Sequence, residues 1–256
     1  MFAVSAPAVP NFYTSLLSAL FAVGLAIVHL YSGKLRLLSV IPRSRWLSLA
    51  GGVSVAYVFV HLLPELSERQ EVFHELGGPV IGFVEHHVYL MALLGLAIFY
   101  GLERVVKDSR QRGHELGRGG AASVPVFWMH ITSFAVYNAL IGYLLVHREE
   151  PGIQSLFLFF VAMALHFMVN DYGLRQDHKD IYEKQGRWLL TAAIIVGWVI
   201  GAGTEIPDAA IAILFAFLAG GIILNVLKEE LPDDRESRFW AFALGAGGYT
   251  VLLLAL

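Results

Sequence analysis

Apolar residues run in long unbroken blocks along this chain, and polar residues gather in short intervals between them. Eight blocks can be marked, at roughly 13–32, 47–66, 81–102, 122–146, 153–173, 187–204, 208–228 and 238–256. Each approaches the roughly 20 residues that an α-helix needs to cross about 30 Å of hydrocarbon. Alternation with a period of two, the mark of a half-buried strand, is missing from them. The pattern therefore predicts an all-α, polytopic membrane protein of eight helices. The first block has neither a basic leader nor a small-residue cleavage site, so it reads as a retained helix rather than a signal peptide.

Composition sharpens this reading. Of 256 residues, 57% are hydrophobic and 15% charged, and the mean hydropathy is +0.63, which excludes a water-soluble enzyme. No cysteine is present, which removes disulfides, thiolate metal sites and cysteine nucleophiles together. The net charge of −3 hides a strong segregation. Lys34, Arg36, Arg43, Arg45, Arg104, Lys107, Arg110, Arg112, Arg118, Arg175, Lys179, Lys184, Arg187, Lys228, Arg235 and Arg238, 16 of the 18 basic residues, fall in alternate intervals. Arg69 and Arg148 alone fall in the others, beside Glu68, Glu71, Glu75, Glu149, Glu150 and Asp208. The positive-inside rule then places both termini outside, in a cell (inner or plasma) membrane. The interval 103–121 becomes a mobile cytoplasmic loop. No basic tract points to nucleic acid; the expected partners are the bilayer, an ion and a second copy of the chain as a homodimer.

An internal repeat is visible. At an offset of 168 residues, Gly52, Val58, Leu63, Pro64 and Glu68 meet Gly220, Val226, Leu231, Pro232 and Glu236, and Glu65 meets Asp233. The two segments cross in opposite directions, as in inverted-topology carriers. The chain then forms one transmembrane domain over 1–256, with a first repeat at 1–106, a central helix pair at 122–173 and a second repeat at 186–256. The bland alternative is two membrane helices that each end at a proline.

Ionisable groups at membrane depth are costly, so those inside the blocks are the functional candidates. In the fourth block, His130, Ser133 and Tyr137 share a face, with Asn138 to one side; in the fifth, His166 and Asn170 share one, and Asp171 follows. Two such faces turned together would form a small polar cell for a divalent cation, imidazole suiting zinc and its neighbours. Hydrogen bonding between packed helices is the competing explanation for each residue. His61 and Glu65, with Glu85, His86 and His87, mark an outer mouth; Glu229 and Glu230 mark the inner one. His29, His74, His147 and His178 lie near ends or loops and carry no assigned role, and His114 reads as a solvated loop residue.

The stretches FVHLLPEL, LLGLAIFYGLERV, the LIG tail of the fourth block and LAGGIILNVLKEELPDD resemble the ZIP family of zinc and iron permeases. That resemblance, over nearly the whole length, implies a 3+2+3 helix arrangement with metal held between the fourth and fifth helices. The family's fourth-helix motif falls here on Ser133, Phe134, Tyr137 and Asn138, and its fifth-helix motif on Ala162, Met163, Ala164, Leu165, His166 and Phe167. Of the expected ligands only His166 stands in place, which argues against a binuclear zinc centre. The expected activity is inward movement of Zn2+ or another divalent cation by alternating access, not catalysis, with no permanently bound cofactor. GxxxxGK[ST] is absent, so gradients would drive it. The alternatives are an intramembrane zinc hydrolase using His130, His166 and Asp171 near Ser133, and a non-transporting scaffold or regulatory protein.

Overall fold

The computed structural model describes residues 12–32, 43–75, 87–117, 120–147, 152–230 and 238–255. Among them there is no strand. In hydrocarbon every backbone amide and carbonyl must find a partner within its own segment, and the α-helix achieves this for blocks of this composition. Helix α1 spans Phe12–Tyr31. Helix α2 is α-helical over Arg43–Tyr57, opens into a π turn at Val58–Leu62 and resumes over Leu63–Glu75. Then come α3 (His87–Glu115), α4 (Val124–Leu144) and α5 (Ile153–Ile181). A second π turn, Tyr182–Gly186, leads into α6 (Arg187–Gly203). Helix α7 (Asp208–Asn225) ends in a third, Val226–Glu230, and α8 covers Phe239–Leu254.

Among the described residues, six helical stretches are long and apolar enough to cross a membrane, and α8 is a shorter apolar helix. The exterior agrees with this. Leu16, Leu20, Val23 and Ile27 of α1 and Leu90, Leu93, Leu94 and Ile98 of α3 form exposed apolar stripes, while His130, His166 and Asp171 are buried. Apolar outside and polar inside is the arrangement of a membrane-embedded helical protein.

Two boundaries differ from the sequence reading. Most of the interval 103–121 is not loop, because α3 continues to Glu115. Its residues VVKDSRQR include no proline and several strong helix formers, so the helix outlasts its apolar run. Helix α5 likewise runs past 173 and breaks only at Lys179, at φ 48 and ψ −125. That left-handed geometry is strained for a side-chain-bearing residue. It folds the chain back on itself, so that Tyr182 donates its hydroxyl to Asp171, eleven residues earlier.

Helices pack where side chains are missing. A Cβ on Gly52 of α2 would collide with the carbonyl of Phe242 in α8, and one on Gly245 with that of Leu49. A Cβ on Gly220 of α7 would strike the carbonyl of Ala92 in α3, and one on Gly95 that of Phe217. Small residues permit such close crossings in lipid, where packing rather than the hydrophobic effect holds helices together. The two crossings correspond position by position. An offset of 168 carries Leu49 and Gly52 onto Phe217 and Gly220, and an offset of 150 carries Ala92 and Gly95 onto Phe242 and Gly245. The offset of 168 also carries the π turn Val58–Leu62 onto Val226–Glu230. Each of these turns precedes a Leu–Pro pair in the sequence. At Pro64 the missing amide and the ring's clash with the carbonyl four residues back explain the widened turn. A third reciprocal contact, Gly142 with Ile194 and Gly197 with Ala139, joins α4 to α6.

Gly52→Val or Gly220→Val is expected to destabilise the folded protein by about 1–3 kcal/mol through overpacking. Gly101→Ala, where a Cβ meets nothing within 4 Å, should be neutral or slightly stabilising, as a helix-interior alanine usually is. Thermal unfolding in detergent distinguishes the two classes.

Candidate functional site

The buried polar groups of α4 and α5 form separate layers rather than one cell. His130 and Tyr137 are seven residues apart on α4, about 10 Å along the axis. Their partners differ accordingly. The Tyr137 hydroxyl lies 2.8 Å from Nε2 of His166, and Nδ2 of Asn170 lies 3.2 Å from the same nitrogen. Both the phenol and the amide point donors at His166 Nε2, so that nitrogen carries the lone pair. The faces of α4 and α5 thus do meet at Tyr137, His166 and Asn170, all of them buried.

Asp171 belongs to a neighbouring network that the sequence reading missed. It is wholly buried, accepts hydrogen bonds from the Ser32 hydroxyl at 2.7 Å and the Tyr182 hydroxyl, and pairs with His29 Nδ1 at 2.9 Å. The Ser32 oxygen in turn receives Arg175 Nη2 at 2.9 Å. The other His29 nitrogen, Nε2, lies 2.8 Å from Asn138 Oδ1. The Asn138 amide nitrogen donates to the backbone oxygen of Phe134 at 2.8 Å, which fixes which end of the amide faces His29. Both His29 nitrogens therefore face oxygens, Asp171 Oδ1 and Asn138 Oδ1, so one proton lies in the His29–Asp171 contact and the other points at Asn138. This pair links α1 to α5 and, through Asn138, to α4. Around it, Glu183 pairs with Arg175 and, at 3.3 Å, with Arg187. His29, expected to have no role, is central here. It is the only histidine in the first apolar block, which has no acidic, lysine or arginine side chain.

A third layer forms where α3, α4, α5 and α7 meet at the end rich in lysine and arginine. His130 Nδ1 lies 2.9 Å from His178 Nε2, and His130 Nε2 is 3.2 Å from Glu103 Oε1. The other Glu103 oxygen pairs with Lys228, and Asp177 pairs with Arg110. Ligand atoms of Glu103, His130 and Asp177 lie within 4.8 Å of one another. His178, also given no role in the sequence reading, is buried here. Glu103 stood inside the quoted stretch LLGLAIFYGLERV, yet the value of its position depends on three other helices.

The remaining candidates are placed as follows. Ser133 donates to the backbone oxygen of His130 at 2.6 Å, so its hydroxyl serves its own helix. His61 and Glu65 pair at 3.6 Å, one turn apart and partly exposed. His147 bonds the backbone oxygens of Gly201 and Thr204 at 2.8 and 3.0 Å, tying down a loop. Glu85 and His86 lie outside the described residues, as do the side chains of His74, His87, Glu229 and Glu230. His114 sits in a cleft with Lys107, Arg110, Gln111, Glu115, Gly120 and Lys179.

No protein-family model matches this chain, and no curated protein matches it.

Asp171→Asn should destabilise the fold by about 3–5 kcal/mol, because it removes one partner of a buried pair and leaves His29 without it. Ser32→Ala removes one neutral donor and should cost about 1 kcal/mol. Chemical denaturation in detergent measures both; equal effects would contradict the buried-pair assignment.

Proposed function

We propose that the chain is a membrane transporter of ZIP-like architecture that carries a divalent metal cation, zinc or a close neighbour, into the cytoplasm by alternating access. The observation that carries this reading is the positional match of the α2–α8 and α7–α3 glycine crossings, together with the matched π turns. Inverted repeats of this kind are the usual construction of secondary carriers, in which one repeat rocks against the other around a central site. On this reading the stretch 153–203 divides into two spans at Lys179 and α8 adds another, and the positive-inside rule then puts both termini outside.

The interior supplies what passage of a cation needs. Carboxylates and imidazoles sit along the central helices from the His166 layer to the Glu103 layer, inside an exterior suited to lipid. His61 and Glu65, both partly exposed, would form the outer mouth. The Tyr137 and Asn170 donors that now hold His166 Nε2 must turn away before a cation can take their place, and that exchange is the expected first step inward.

Purified protein in proteoliposomes should admit Zn2+ down its gradient, read with an indicator dye inside the vesicles. His166→Ala should lower the rate roughly tenfold or more, as loss of a ligand does; absence of uptake in the unaltered protein would overturn the proposal. The chain has no cysteine, so single-cysteine labelling reports topology without background. Arg112→Cys should react with an impermeant thiol reagent only from the cytoplasmic side, and Thr204→Cys only from outside.

A further inference from the structure

Deepening the proposed cation transport, we infer that Glu103, His130 and Asp177 form a divalent-cation site at the lysine- and arginine-rich end of the helix bundle, and that Lys228 is its tethered competitor. Three helices supply one ligand atom each, and these atoms lie within 4.8 Å of one another. Small adjustments of side-chain torsion would bring them around one ion, whose bonds to nitrogen and carboxylate oxygen are about 2.0–2.2 Å for zinc.

A second observation comes from the hydrogen bonding of His130. Its Nε2 is buried, lies 3.2 Å from Glu103 Oε1, and yet makes no hydrogen bond of acceptable geometry. Its Nδ1 faces Nε2 of His178 at 2.9 Å. One of those two nitrogens must carry the hydrogen. If His130 Nδ1 carries it, Nε2 presents a bare lone pair beside a carboxylate, an arrangement that is repulsive until a cation stands between them. Metal-binding imidazoles almost always donate their other N–H to an acceptor that fixes the tautomer. In that tautomer His178 is the acceptor, a positioning residue rather than a ligand.

The charges around the site explain how it stays stable without the ion. Glu103 pairs with Lys228 and Asp177 with Arg110, so each carboxylate has a cation. The two cations are not alike. Arg110 is a planar fork that also donates from Nε to the backbone oxygen of Gly120 at 3.2 Å. Lys228 is a point charge on a flexible stem, partly exposed, in the π turn that ends α7. An arriving ion would displace Lys228 from Glu103 and leave Arg110 in place. One nitrogen and two carboxylates, with no thiolate anywhere in the chain, favour Mn2+, Fe2+, Co2+ or Zn2+ over monovalent copper.

Co2+ is the probe, added to the full-length protein in detergent and followed by its visible d–d absorption, with no gradient and no transport required. The unaltered protein should show one saturable site with bands typical of mixed nitrogen and oxygen ligation. Glu103→Gln and His130→Asn should abolish it, and His178→Asn should weaken it roughly tenfold or more. Lys228→Gln should tighten it, a gain that misfolding cannot produce. Absence of the bands in the unaltered protein, bands that persist in both Glu103→Gln and His130→Asn, or a Lys228→Gln protein that binds no more tightly would each overturn the site. Vesicle uptake tests the transport reading separately. Uptake without these bands removes this site and leaves the carrier, whereas bands without uptake remove the carrier and leave the site.

Discussion

A carboxylate buried among membrane helices is tolerated only when its neighbours supply compensating charge and hydrogen-bond donors. Asp171 meets that requirement with His29, Ser32 and Tyr182, drawn from two separate stretches of chain. The first helix is thereby held against the fifth, and Asn138 brings in the fourth. The reversal at Lys179 follows the same logic, since it delivers Tyr182 to the carboxylate. Much of the arrangement of the central helices can be understood as the cost of solvating this one group from within.

The second organising element is the absence of side chains at helix crossings. Gly52, Gly95, Gly220 and Gly245 bring backbone against backbone in two places related by fixed sequence offsets. Contacts so close leave little room for gradual deformation. Movement between helices joined this way is better accommodated by each pair moving as a body, while side-chain partners exchange in the layers between. The polar layers suit that role, since His166, His130 and Glu103 each have partners on other helices.

The spans were legible in the sequence because hydrocarbon imposes both length and composition on a helix. The match of Gly52 with Gly220 was legible too, and each of these glycines stands at a close crossing of its own. The ends were not: the apolar run of α3 stops near residue 102, yet nothing in VVKDSRQR stops the helix. Lys179 has neither glycine nor proline character, so the break there had no local signature. At the site, the pairing of Tyr137 with His166 followed from facing helices. The partners of Asp171 and His130 did not, because a helical wheel describes one helix at a time. His29, His178, Glu103 and Lys228 acquire their meaning only from the assembly of α1, α3, α5 and α7 around α4.

The π turns carry one residue more than the α turns they replace. In α2 the buried residues Val53 and Tyr57 are four apart, but the next residue in that row, Leu62, is five away, and Leu66 resumes the spacing of four. A projection drawn at 100° per residue through Val58–Leu62 is therefore out of phase beyond it by one position. His61 and Glu65 straddle that point, so the direction in which the acid faces is set by Pro64 as much as by its own place in the sequence.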